Sequence, residues 1–210
     1  MTALSVKTGA VILAAGSASR YGALKQVIAI DGEPMVRRIA RNALAARLHP
    51  VVVVVGAQGD RVIDCLANLD VHPVGNAQWA SGMGSSLATG VKALMTRPEG
   101  LASLMVLLAD QPAISIDDLE SMLAAHARSP QRILACEHEG DFSPPCIFPL
   151  SYVDELAALD GSTGARVLLE LHASLVDGFN LPSAFRDIDT PNDFDAWLAG
   201  RDKPAPGELS

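Results

Sequence analysis

Five consecutive valines, Val51–Val55, stand between Pro50 and Gly56. A β-branched run of this length, with no polar residue to face water, fits a strand covered on both faces, the condition of a parallel sheet between two layers of helix. The rest of the chain agrees with that demand. Thr8–Ala14 and Ser103–Ala109 are two further buried strands, with short strand candidates at Val71–Val74, Arg132–Cys136, Cys146–Phe148, Leu175–Asp177 and Phe185–Asp189. Helical spacing recurs after Pro34 (Val36, Ile39, Ala43, Leu44), over Asp60–Leu69, and at Leu87, Val91, Leu94 and Met95. It returns over Ile116–Ala127, Tyr152–Leu159, Ala165–Leu171 and Asn192–Leu198. Strand and helix alternating at short spacing predict an α/β chain, a Rossmann-like three-layer sandwich with a mostly parallel sheet. One domain over 1–200 is expected, with 201–210, which carries Pro204, Pro206 and Gly207, as a disordered tail.

Composition narrows the function. The formal net charge is −8, which argues against nucleic acid as a general partner. No apolar run approaches the roughly 18 residues of a membrane span, and no signal peptide is visible, so a cytoplasmic protein is expected. Three cysteines without a C-x-x-C pattern suit a reducing compartment and offer no zinc site. The five histidines fall in no ligand spacing. Ser17 and Ser19 lack the G-x-S-x-G context of a hydrolase nucleophile.

The acidic residues are unevenly placed. All 24 lie at Asp31 or later, whereas residues 1–30 hold Lys7, Arg20 and Lys25. Within that stretch, Leu13-Ala14-Ala15-Gly16-Ser17 leads from the first strand into a loop bearing Arg20, Gly22 and Lys25. Glycines let the backbone turn and expose N–H groups to an anion, and the two cations can follow a triphosphate. The spacing is neither a Walker A loop nor G-x-G-x-x-G. Ligands of open α/β sheets sit beyond the carboxyl ends of strands, so the residues after Ala14, Val55, Val74, Ala109 and Asp189 form the expected site. Asp110 follows a buried strand there, and a carboxylate so placed can hold Mg²⁺ or cap the turn before Pro112. Asp187 and Asp189 share a face of the expected Phe185–Asp189 strand, one available to a metal and the other to a helix cap. Gly82 and Ser86 flank a helix start able to reach ribose or base, with Ser85 or Ser86 as an alternative N-cap. Trp79 reads as a packing residue at the mouth.

The loop with Leu13, Ala14, Ala15, Gly16, Arg20, Gly22 and Lys25 resembles the signature of the MobA-like nucleotidyltransferases, most closely the molybdenum cofactor cytidylyltransferases. The likeness continues through Asn76–Leu87, Leu107–Pro112, Gly161–Arg166 and Asp187–Pro191. It implies a nucleotide-diphospho-sugar transferase type of fold and transfer of CMP from CTP to the phosphate of molybdopterin carrying molybdenum, with Mg²⁺ as cofactor and a molybdoenzyme as recipient of the product. Arg20, Lys25 and Asp110 would be catalytic, with Asp110 and Asp187 on the metal. Leu13, Ala14, Ala15, Gly16, Ser17, Asn76, Gly82 and Ser86 would bind nucleotide. Relatives using GTP carry Leu-Ala-Gly-Gly, so Ala15 points to CTP. Ser162 stands where the family has an acidic residue, and Ser143 where it has glycine, which leaves the acceptor open. Alternatives are GTP, another phosphorylated acceptor such as a sugar or alditol phosphate, a non-catalytic carrier of the cofactor, or a redox relative binding a nicotinamide nucleotide in the same pocket.

Overall fold

A computed structural model describes residues 7–16, 24–97, 100–188, 190, 192–195 and 197. In chain order the elements are β1 (Lys7–Ala14), a two-residue hairpin of β2 (Ala29–Ile30) and β3 (Glu33–Pro34), α1 (Met35–Ala45), β4 (Val51–Val55), α2 (Gly59–Cys65) and β5 (His72–Gly75). Then follow α3 (Met83–Met95), β6 (Leu101–Leu108), α4 (Ile116–His126), β7 (Ile133–His138), β8 (Asp141–Pro149), α5 (Val153–Ala157), α6 (Arg166–Leu171) and β9 (Val176–Asn180). Seven strands form one sheet in the order β5-β4-β1-β6-β8-β7-β9. All pairings are parallel except those of β8, which runs antiparallel to both β6 and β7. The three-layer, mostly parallel sheet expected from sequence is the fold observed.

The valine run behaves as its composition demands. All five residues are buried, with Val51, Val53 and Val55 in the core under α1, α2 and α4, and Val52 and Val54 in the core under α3, α5 and α6. Strand β1 divides the same way, Ala10, Ile12 and Ala14 to one side and Val11 and Leu13 to the other. Close packing of α3 depends on Gly90, where a Cβ would run into the side chains of Val11 and Val54.

Three expectations are corrected. The Asp60–Leu69 helix ends at Cys65, because Arg37 donates to the carbonyls of Cys65 (3.0 Å) and Ala67 (2.8 Å) while Asn68 turns left-handed at φ 64°. Strand β8 begins at Asp141 rather than Cys146. Pro144 and Pro145, which carry no N–H for a ladder, sit where the register with β7 slips, between Ala135↔Cys146 and Cys136↔Ser143. Phe185–Asp189 is not a strand. Pro182–Phe185 forms a 3₁₀ turn closed by the Ala184 N–H on the Leu181 carbonyl, and the Ile188 N–H donates to the Asp110 carbonyl at 3.1 Å. With those backbone groups engaged there, Asp187 stands on no strand face; Asp189 lies outside the described residues. Residues 192–195 and 197 are helical as expected, and the 201–210 tail lies outside the described residues.

Among the described residues, no helix is long and apolar enough to cross a membrane. The three cysteines are free. Burial pushes the Cys136 thiol up to about 12 and that of Cys146 well above its ordinary range, so neither offers a thiolate nucleophile.

Candidate active site

The route of the chain creates the site. After β1 the chain crosses through α1 to β4 on one side, and after β6 it crosses through α4 to β7 on the other. Adjacent parallel strands whose connections leave in opposite directions open a crevice at their carboxyl ends. Leu13 of β1 pairs with Leu108 of β6, and the Ala109 N–H donates to the Leu13 carbonyl at 3.1 Å. Immediately beyond this pair lies a cleft of about 320 Å³. Leu13, Ala15 and Gly16 line it from the β1 side, and Leu108 and Asp110 from the β6 side. Trp79, Ala80, Gly82, Met83 and Ser86 close it at the start of α3, and Lys25 and Gln26 at the return of the first loop.

Lys25 and Asp110, 85 residues apart, meet in this cleft with Nζ 2.5 Å from Oδ2. Their side chains are 16% and 19% exposed, so the pair is shielded from bulk solvent yet open on the cleft side. The second carboxylate oxygen, Oδ1, is buried and accepts no hydrogen bond among the described residues. A buried carboxylate oxygen without a donor is costly, and an oxygen-seeking hard cation is one group that satisfies it. Among the described residues no three His, Cys, Asp or Glu side chains cluster as a ready-made metal cage. That donor set fits Mg²⁺, which takes one or two carboxylates and draws its remaining ligands from water and phosphate.

Of the residues singled out by sequence, Leu13, Ala15, Gly16, Lys25, Gly82, Ser86 and Asp110 line the cleft. Arg20 and Ser17 lie outside the described residues. Ala14 points away, into the core under α1. Asn76 is only 6% exposed and serves as a brace, its Nδ2 donating to the hydroxyls of Ser85 and Ser86 at 3.0 Å each. Asp187 is exposed on the segment whose neighbour Ile188 bonds the Asp110 carbonyl, and it does not line the cleft. None of the five histidines lines it either.

The start of α3 differs from expectation. Its N-cap is Gly82, at φ 128° and with no side-chain cap, rather than Ser85 or Ser86. A Cβ at Gly82 would collide with the Gly161 carbonyl and the Ser162 backbone, and the Gly84 N–H donates to Gly161 at 2.9 Å. Ser85 instead donates back to the carbonyls of Gly82 (2.9 Å) and Gln78 (3.0 Å). The helix end is thereby fastened to the Asp160–Gly164 loop, and Gly164 packs against Met83.

Two glutamines were not anticipated. Gln26 follows Lys25 and is 3% exposed; Gln111 follows Asp110 and is 1% exposed. Gln111 Nε2 donates to the carbonyls of Pro144 (2.9 Å) and Ala184 (2.7 Å), which ties the Asp110 loop to β8 and to the turn before Asp187. The available signal was position alone, one residue beyond each member of the ion pair.

The family model of the MobA-like NTP transferase domain matches residues 10–176. The chain belongs to the MobA-like NTP transferase family. Among curated relatives, nicotine blue oxidoreductase of Paenarthrobacter nicotinovorans is 33% identical over 90% of this chain and 95% of its own length. The purine catabolism protein PucB of Bacillus subtilis (strain 168) is 30% identical over 88% of this chain and 93% of its own. Among solved structures, Rv0371c of Mycobacterium tuberculosis superposes with a TM-score of 0.77 at 21% identity, covering 92% of this chain and 98% of that one; it is also known as a complex with manganese. A CMP:2-keto-3-deoxy-manno-octonic acid synthetase complexed with CTP superposes with a TM-score of 0.70 at 15% identity, covering 93% and 99%. These likenesses place the fold among the nucleotide-diphospho-sugar transferases.

Proposed function

We propose that the protein is a cytoplasmic cytidylyltransferase that moves CMP from CTP to the phosphate of a molybdopterin-type acceptor and releases pyrophosphate, the product passing to a molybdoenzyme. The observation that carries the reading is the Lys25–Asp110 pair, set at the switch-point cleft of a family member where a glycine-led loop returns. The structure of a CTP-bound neighbour on the same fold supports the choice of nucleotide, and a manganese-bound one supports a divalent cation.

In this reading an oxygen of the acceptor phosphate attacks the α-phosphorus of CTP as the bond to the bridging oxygen of the β-phosphate breaks. Such a transfer asks the protein for position and charge neutralisation more than for covalent chemistry. Lys25 faces the β and γ phosphates and offsets the charge that builds on departing pyrophosphate, and Arg20 would add a second cation. Leu13, Ala15, Gly82 and Ser86 hold the nucleoside end against β1 and α3. Asp110 would hold Mg²⁺, whose remaining ligands would come from water and phosphate. Bound there, Mg²⁺ supplies a Lewis acid to the phosphate oxygens. The decisive assay incubates the protein with each nucleoside triphosphate, Mg²⁺ and molybdenum cofactor, and follows pyrophosphate. Release with CTP that depends on the acceptor supports the reading; binding of molybdenum cofactor without release makes the protein a carrier.

The name of the 33% identical relative favours a second reading, reduction by a nicotinamide nucleotide held in the same cleft. The two separate cleanly, since only the second consumes NADH or NADPH absorbance and only the first releases pyrophosphate.

Ala15 bears on the choice of base. It is 3% exposed, lines the cleft and packs in the same core as Trp79, so its methyl occupies space at the nucleoside end. One methyl-sized clash discriminates by about 1–3 kcal/mol, or roughly 10- to 200-fold. CTP is therefore expected to outcompete GTP by that range, with Ala15→Gly narrowing the gap without reversing it. Equal use of the two by the unmodified protein in direct competition refutes this.

A further inference from the structure

Asn76 continues the line of β5, its N–H donating to the Val55 carbonyl at 2.8 Å, and the residue is buried. Its amide oxygen Oδ1 accepts the backbone N–H of Gln78 at 2.9 Å. An N–H only donates, so the oxygen must face it, and Nδ2 is left for the hydroxyls of Ser85 and Ser86 at 3.0 Å each. Both hydroxyl oxygens are therefore acceptors here, and each keeps one proton to place. Ser85 places its proton within the fold, on the carbonyls of Gln78 and Gly82. Ser86 does not. A helical serine or threonine can donate to the carbonyl four residues back, as Thr89 does to Ser85 at 2.8 Å. For Ser86 that carbonyl is Gly82, which the Ser85 hydroxyl already occupies. Among the described residues the Ser86 proton meets no acceptor, in a residue that is 5% exposed and lines the cleft.

A buried donor without an acceptor is costly, and the direction left to this one is the cleft. We propose that Asn76 is a positioning residue for nucleotide binding: by donating to Ser86 it fixes that hydroxyl as a donor aimed into the cleft, where it meets a hydrogen-bond acceptor of the nucleoside. Asn76 itself touches no ligand. The inference rests on the nucleotidyltransferase reading, in which Ser86 holds the nucleoside end, and adds to it the residue that sets which way the Ser86 bond runs. A hydroxyl free to rotate accepts as readily as it donates; held in this way it selects a ligand that presents an oxygen or an unprotonated ring nitrogen at that point.

Asn76→Asp keeps the shape of the side chain and the acceptor for Gln78 but exchanges the donor for a second oxygen. The Ser86 proton then turns to the carboxylate and away from the cleft. Calorimetric titration should show CMP and CTP each bound about five- to tenfold more weakly, the contribution of one hydrogen bond. Ser86→Ala should lose the same factor. The double variant should bind CMP within about twofold of Ser86→Ala alone, because Asn76 acts only through that hydroxyl. In the pyrophosphate assay KM for CTP should rise with kcat within about twofold, since a contact to the nucleoside serves ground state and transition state alike. Melting temperatures are measured alongside, and if Asn76→Asp does not fold, Asn76→Ala enters the same cycle. Undiminished CMP affinity in Ser86→Ala overturns the inference, as do losses that multiply in the double variant, the mark of a merely structural Asn76. A fall for CTP well beyond that for CMP also overturns it, being repulsion by the new carboxylate. Failure of the unmodified protein to bind any nucleotide overturns the nucleotidyltransferase reading itself and takes the inference with it.

Discussion

Asp110→Asn is expected to reduce pyrophosphate release by three or more orders of magnitude with the fold retained. Metal-assisted steps contribute several kcal/mol of transition-state stabilisation, and each 1.36 kcal/mol is a factor of about ten in rate. Asparagine has nearly the shape of aspartate, and the backbone bonds that hold this position, from Ile188 N–H and through the neighbouring Gln111 amide, do not depend on the carboxylate. Removal of the charge therefore separates function from architecture. The measurement is kcat across a Mg²⁺ titration beside a thermal melt. A variant that melts normally and works within about tenfold of the unmodified protein would remove Asp110 from the metal.

Lys25→Ala is the second large effect. The ammonium lies against Asp110 Oδ2 within the cleft, so its loss takes a positive charge from a shielded site where such a charge acts strongly. Turnover with CTP should fall by about 10²- to 10³-fold, the usual cost of one preorganised electrostatic contact. Affinity for CMP, which lacks the β and γ phosphates, should change far less. Single-turnover rates and CMP titrations make the comparison. Equal losses of CTP and CMP affinity at an unchanged rate would reduce Lys25 to general attraction of anions.

The sequence reveals those elements whose residues have no other solution available. Five valines between Pro50 and Gly56 cannot face water on either side, and the sheet they require brings the ends of β1 and β6 together. That is why Lys25 and Asp110 are each legible as residues of the site although they lie far apart in the chain, while the ion pair between them is not. Gln26 and Gln111 are not legible. Glutamine is an ordinary surface residue, and nothing in its identity announces that it will be buried. The Phe185–Asp189 segment misleads for a related reason: its alternation resembles a strand, but Ile188 spends its N–H on Asp110 rather than on a neighbouring strand. Asn76 misleads in the opposite direction, since polarity near a helix start reads as ligand contact where it braces Ser85 and Ser86.

The fastening of the Asp110 loop has a consequence for how the protein comes into being. The match to the family model ends at residue 176. Yet the backbone carbonyl of Asp110 is held by Ile188, and the Gln111 amide reaches Ala184. A growing chain thus carries the motifs up to Gly161–Arg166 before it reaches the residues that hold the Asp110 loop. A chain truncated after residue 176 would keep the whole of the family-model match while lacking the bonds that hold the Asp110 loop.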